Sequence, residues 1–193
     1  MRVGYANRGR GLEVLIEQAN RLYRLKNIAV VQKVATPTKV LQDRYGRTKV
    51  VREKSTVDFV GVWRGVALAF DAKQTREKRF PLSQLHEHQY EFLRAWTECG
   101  GLAFLLIEVE AMTARARFHI LPFRELERYW TRWKSGGRAS LSAEELDALP
   151  RVRPGRGVAL DYLATLEEMM AHESRDEAAT RKGAPAVLDP ARV

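Results

Sequence analysis

Apolar residues recur at helical spacing early in the chain. Leu12, Leu15, Ile16, Ala19, Leu22 and Tyr23 form one stripe, which predicts an amphipathic helix over residues 8–25 with Asn7 as its N-cap. Residues 28–35, rich in Val and Ile, predict a strand that Pro37 ends. Two short β-prone pieces, 38–41 and 48–51, flank the polar turn Gln42-Asp43-Arg44-Tyr45-Gly46-Arg47. They are too poor in apolar residues for a core and read as a projecting hairpin or loop. After Phe80-Pro81 a second helix is expected, N-capped by Ser83, with a stripe of Leu85, Phe92, Leu93 and Trp96. His88 and Gln89 complete that inward face, where polar groups need partners. Gly100-Gly101 stops the helix. The apolar run 102–109 predicts a strand covered on both faces, and 116–121 a shorter one. Pro122 opens a helix to Lys134, Ser142 to Glu145 is a capping box, and residues 150–157 are extended and basic. A last helix is expected over 159–170. Residues 1–172 then form one domain with a stalk at 36–54, and 173–193 a disordered tail.

Between these elements lies the stretch Ser55 to Lys73, which reads as two strands joined at Arg64-Gly65. A loop of those two residues places Asp58 opposite Asp71 and Thr56 opposite Lys73, with all four side chains on one face. Carboxylates directly opposite each other sit about 5 Å apart at Cβ and repel. Either one is protonated, or the register differs, or a cation sits between them. Two carboxylates, a hydroxyl and an ammonium suit a hard divalent ion such as Mg²⁺, which can polarise a phosphate and activate water. Lys73 would hold the attacking water or the developing charge. The alternative is an exposed hairpin face with ordinary surface charges.

Charge narrows the partner. The 193 residues carry 33 Lys and Arg against 24 Asp and Glu, a net charge of +9 that favours a polyanion, with nucleic acid ahead of a membrane surface. Arg8 and Arg10 lie at the start of the first helix. Lys39, Arg44, Arg47, Lys49, Arg52 and Lys54 crowd the stalk around Tyr45, a pattern suited to DNA contact. The single cysteine, Cys99, excludes an intrachain disulfide and a cysteine-based zinc site, and fits a reducing, cytoplasmic setting. Glu13, beside the apolar stripe of the first helix, is an accessory candidate if that helix crosses the acidic pair.

Asp58 with Asp71-Ala72-Lys73 fits the D…(D/E)xK pattern of the PD-(D/E)xK nuclease superfamily. Five ordered blocks extend the match: Asn7-Arg8-Gly9 with Leu12-Glu13, Thr36-Pro37-Thr38, Ser55 to Gly61, Phe70 to Lys73, and Phe80-Pro81-Leu82 with His86-Glu87-His88-Gln89. Through them the chain resembles the RecU family of Holliday junction resolvases. The resemblance implies an α/β fold with a restriction-endonuclease-like core, a mixed sheet flanked by helices and a basic stalk. It implies a homodimer that cuts four-way DNA junctions with Mg²⁺ or Mn²⁺ in recombination and repair, alongside recombinase and branch-migration proteins. Thr56, Asp58, Asp71 and Gln89 would surround the metal, with Asp58, Asp71 and Lys73 catalytic. Asp71 stands where the family usually has Glu, which shifts the ion by about one methylene. The rival readings are a superfamily nuclease on duplex DNA and a non-catalytic junction-binding protein.

Overall fold

The computed structural model describes residues 10–35, 38–42, 44–52, 56–110 and 117–183. The first apolar stripe lands where its periodicity predicts: α1 (Arg10–Leu25) buries Leu12, Ile16, Ala19 and Tyr23. The chain continues through β1 (Ala29–Lys33), β2 (Thr38–Gln42), β3 (Thr48–Arg52), β4 (Phe59–Trp63), β5 (Val66–Thr75), β6 (Phe80–Pro81), α2 (Glu87–Glu98), β7 (Leu102–Val109) and β8 (Arg117–Pro122). It ends with α3 (Phe123–Lys134), β9 (Ser140–Leu141), α4 (Ala143–Asp147), β10 (Arg151–Val152) and α5 (Tyr162–Gly183). Six strands form a mixed sheet in the order β1-β4-β5-β7-β8-β10. Only the β5–β7 pairing within it is parallel, as the intervening α2 crossover requires. β2 and β3 pair with each other in a separate ribbon, the expected stalk.

Strand alternation sorts residues onto two faces. Phe59, Phe70 and Phe104 stack towards α1 and α5, with ring centroids 5.0 and 4.6 Å apart. Ala69, Leu105, Ile107 and Leu121 face α2 and α3. Helices therefore cover both sides, and β7 is buried almost throughout, as its unbroken apolar run predicts. Among the described residues no helix is long and apolar enough to cross a membrane.

The β4–β5 turn is the two-residue one that the strand pattern suggests. Trp63 pairs with Val66, and Arg64 and Gly65 take φ values of 51° and 81°. Arginine is uncommon at positive φ. Here Arg64 lies over the Trp63 ring and pairs with Glu167 of α5 at 2.7 Å, so contacts from outside the hairpin hold the turn.

Two boundaries differ from the sequence reading. Ser83 does not cap α2: it lies in a 3₁₀ turn, Leu82–Gln84, and His86 occupies the N-cap. Buried Leu85 is extended and its N–H bonds to Leu82 O, so the chain must redirect before the helix starts. At the other end α5 runs on to Gly183, where a disordered tail is expected from 173. Glu173 and Arg175 are good helix formers and are exposed, so the polarity of this stretch does not oppose a helix.

Gly61 fixes how closely β1 approaches the strand that leads out from Asp58. A Cβ there would lie 2.3 Å from Val30 O and 2.6 Å from Val31 Cα. Those are backbone atoms and cannot swing away. Gly61→Ala should destabilise the fold by about 1–3 kcal/mol. A lowered urea midpoint with an unchanged m-value checks this.

Candidate active site

The β4–β5 ladder runs in the expected register from Trp63–Val66 to Phe59–Phe70 and then stops. Asp58 and Asp71 are the next residues outward. Because Phe59 and Phe70 face α1, the alternation turns both carboxylates towards α2. Asp71 is fully buried and Asp58 half-buried. Where the strands part, Asp58 Oδ2 accepts a hydrogen bond of 2.9 Å from the Ala72 N–H. Burial, and then the charge of Asp71, push the Asp58 carboxyl up to about 7, against the pull of Ala72 N–H and Lys73. The register thus drops out of the three explanations for an acid pair. A shared proton and a bound cation remain, and the carboxyls fit either.

Lys73 shares that face of β5. Its ammonium stands 2.5 Å from Asp71 Oδ2, in ion-pair contact but off a hydrogen-bonding line, and Oδ2 has no hydrogen-bond donor among the described residues. Tyr90 and Leu93 bury one side of α2 against the sheet, and the same side carries Gln89. Gln89 Nε2 donates to Asp71 Oδ1 at 2.9 Å. Its Oε1 accepts from Lys73 Nζ at 3.2 Å and from the His86 N–H at 3.1 Å. A backbone donor decides which end of the amide is the oxygen. Both ends of Gln89 are therefore committed, one to each functional neighbour.

The donor set fits a small divalent ion. Two carboxylates converge, one of them with a buried oxygen that no hydrogen bond satisfies, and the oxygens are hard ligands. No group of three or more His, Cys, Asp or Glu that could hold a metal occurs among the described residues. An ion held by the two aspartates would complete its shell with water and phosphate oxygens, as Mg²⁺ commonly does.

Other expected residues are placed differently. Thr56 is exposed in the bend before β4, beyond the end of the ladder, so its pairing with Lys73 does not form. Glu13 lies on α1, which covers the opposite face, and pairs with Lys33 at 2.6 Å beside Glu17. In the stalk Arg44, Tyr45 and Arg47 are exposed, and the Arg44 guanidinium lies 5.0 Å from the Tyr45 ring centroid. Arg8 and Lys54 lie outside the described residues, as do the side chains of Arg10, Lys39, Lys49 and Arg52. One contributor escapes the sequence reading. His86 orients Gln89 through its backbone, and the signal for it is the capping-box spacing between 86 and 89.

The chain is similar to the Holliday junction resolvase RecU of Staphylococcus aureus strains JH9 and COL, each 32% identical over 186 residues, covering 90% of this chain and 86% of the relative. Among solved structures it matches that of Archaeoglobus fulgidus Hjc, a Holliday junction resolvase from an archaeal hyperthermophile, with a TM-score of 0.39 and 16% identity, over 68% of this chain and 91% of that one. The family described as Recombination protein U matches residues 7–168, which takes in both aspartates, Lys73 and Gln89. By that match and by its identity with the RecU relatives, the chain belongs to the RecU family.

Proposed function

We propose that this protein is a divalent-metal-dependent endonuclease that resolves four-way DNA junctions as a homodimer. The observation that carries the reading is the buried Asp58–Asp71 pair with Lys73 on the same sheet face. A Mg²⁺ or Mn²⁺ ion bound by Asp58 and Asp71 supplies Lewis-acid stabilisation of a phosphodiester and lowers the pKa of a coordinated water. Lys73, reached by Gln89 and Asp71, keeps its ammonium turned to where charge grows on the phosphate. Gln89 keeps Asp71 and Lys73 aligned while substrate arrives.

The charge distribution supports DNA as substrate. Residues 1–54 hold 13 Lys and Arg against 4 Asp and Glu, while residues 55–193 hold 20 of each. The whole excess of +9 therefore lies in the α1–β1 segment and the stalk. That concentrates salt-dependent backbone affinity on one part of the molecule. Recognition of the junction then rests on shape, with two sites at a fixed spacing in the dimer.

On a synthetic four-way junction, wild type should make symmetric paired nicks that depend on Mg²⁺. Asp58→Asn and Lys73→Ala should each slow single-turnover cleavage by about 10²–10³-fold. Activity that survives both substitutions removes this active site. The pH dependence of metal binding follows from Asp58. Its carboxyl is raised in the folded state, so its contribution to stability is complete below about pH 4 and is lost as pH rises through about 7. An ion that neutralises the pair reverses the loss. The rise in Tm on adding Mg²⁺ should be larger at pH 8 than at pH 5, and Asp58→Asn should erase the difference in calorimetry. In the stalk, the double variant Arg44→Gln/Arg47→Gln should flatten the slope of log affinity against log salt by about 2, the value for two lost phosphate contacts. Fluorescence anisotropy across a salt series measures it.

A further inference from the structure

Asp71, Lys73 and Gln89 are walled in. Asp71 is 0% exposed, Gln89 7%, and the Lys73 side chain 13%. Asp58, half-buried, is the more open of the two acids. At the start of α2, His86 is exposed and His88 half-buried. Their rings stack 5.5 Å apart at an interplanar angle of 12°. The stack brings together the rings of the two residues that flank Glu87.

The register fixes where this surface stands. α2 runs antiparallel to β5: Trp96 Nε1 donates to Ala67 O at one end, and Gln89 reaches Asp71 at the other. His88, Phe92 and Trp96 lie at helical spacing on one stripe, and Phe92 and Trp96 pack on the sheet. The helix therefore lies over β5 and β7, and its start, with His88, comes to the Asp71 end of β5. His86 is tied in more directly. Its N–H bonds to Gln89 Oε1 at 3.1 Å, and that oxygen bonds to Lys73 Nζ at 3.2 Å. Two hydrogen bonds in series separate its backbone from the ammonium. The start of α2 thus stands beside Lys73.

We propose that the stacked pair His86–His88 is a substrate-binding wall of this site, contacting the backbone phosphate next to the scissile one. This rests on the nuclease reading above and extends it from the Asp–Lys–Gln cluster to the rings at the start of α2. Each neutral imidazole carries one N–H donor, and a phosphate oxygen is a strong acceptor. The first-turn amides of α2 add to the attraction. Stacking limits the rotation of both rings, so their donors are preset rather than ordered on binding.

The test uses the full chain and a synthetic four-way junction whose cleavage positions are first mapped with wild type. A methylphosphonate then replaces, in turn, each of the two phosphates that flank the scissile one. Wild type should lose about 10- to 100-fold in single-turnover rate at one of these positions, the loss expected for a hydrogen bond to a charged group. His86→Ala/His88→Ala should lose a similar factor on unmodified DNA, and little more on that methylphosphonate. His86→Asn/His88→Asn, which keep a donor, should recover part of the rate. Undiminished cleavage of both modified junctions by wild type overturns the proposal without any variant. Losses that multiply between variant and modification overturn it too. A wild type that makes no nicks in unmodified junctions fells the nuclease reading itself, and this wall with it.

Discussion

A carboxylate taken out of water must gain a partner or a proton, and this chain takes two out of water at neighbouring places on one sheet face. The arrangement around Asp58 and Asp71 answers that demand. The Ala72 N–H, freed where the ladder ends, goes to Asp58. Lys73 and Gln89 go to Asp71. One oxygen of Asp71 still lacks a hydrogen bond, and Asp58 holds its proton well above the usual carboxylate range. The Lys73 ammonium offsets part of this charge, and carboxylate oxygens so placed are the kind of ligand a hard divalent ion takes.

Such a buried charged corner needs a rigid support. Behind it the stacked Phe59, Phe70 and Phe104 rings bind three strands to α1 and α5. In front of it α2 is clamped by Leu93 and by the Tyr90 ring, which stacks on Trp130 of α3 with centroids 4.4 Å apart. This packing holds Gln89 at a fixed depth. A hydrogen-bond network of Asp71, Gln89, Lys73 and the His86 amide can then keep one geometry, since each member has few other rotamers open to it.

Charge is arranged on a different principle. The body of the protein is balanced, and its surface arginines are largely spent on local pairs such as Arg76–Glu110, Arg117–Asp147 and Arg138–Glu145. The excess lies in the first part of the chain and the β2–β3 ribbon. Attraction for a polyanion is thereby separated from the chemistry. The ribbon lacks the apolar content to join the core, and Arg44 and Arg47 at its turn are exposed.

Much was legible in the residues alone. Helical and strand periodicities and a turn at Arg64-Gly65 follow from local spacing, and once that two-residue turn is fixed Asp58 comes opposite Asp71. Lys73 follows for the same reason. Gln89 came into view as a polar residue on an inward helical face, although its partners did not. What tertiary structure alone decided is long-range. It set that the ladder stops before Thr56, that α1 covers the far face and leaves Glu13 to Lys33, and that α2 begins at His86 rather than Ser83. It also decided that Arg64 can hold a positive φ, since Glu167 lies about a hundred residues further along the chain. Spacing along a chain specifies which side chains share a face; only packing against distant segments specifies which of them are shut away from water, and burial is what gives this acid pair its chemistry.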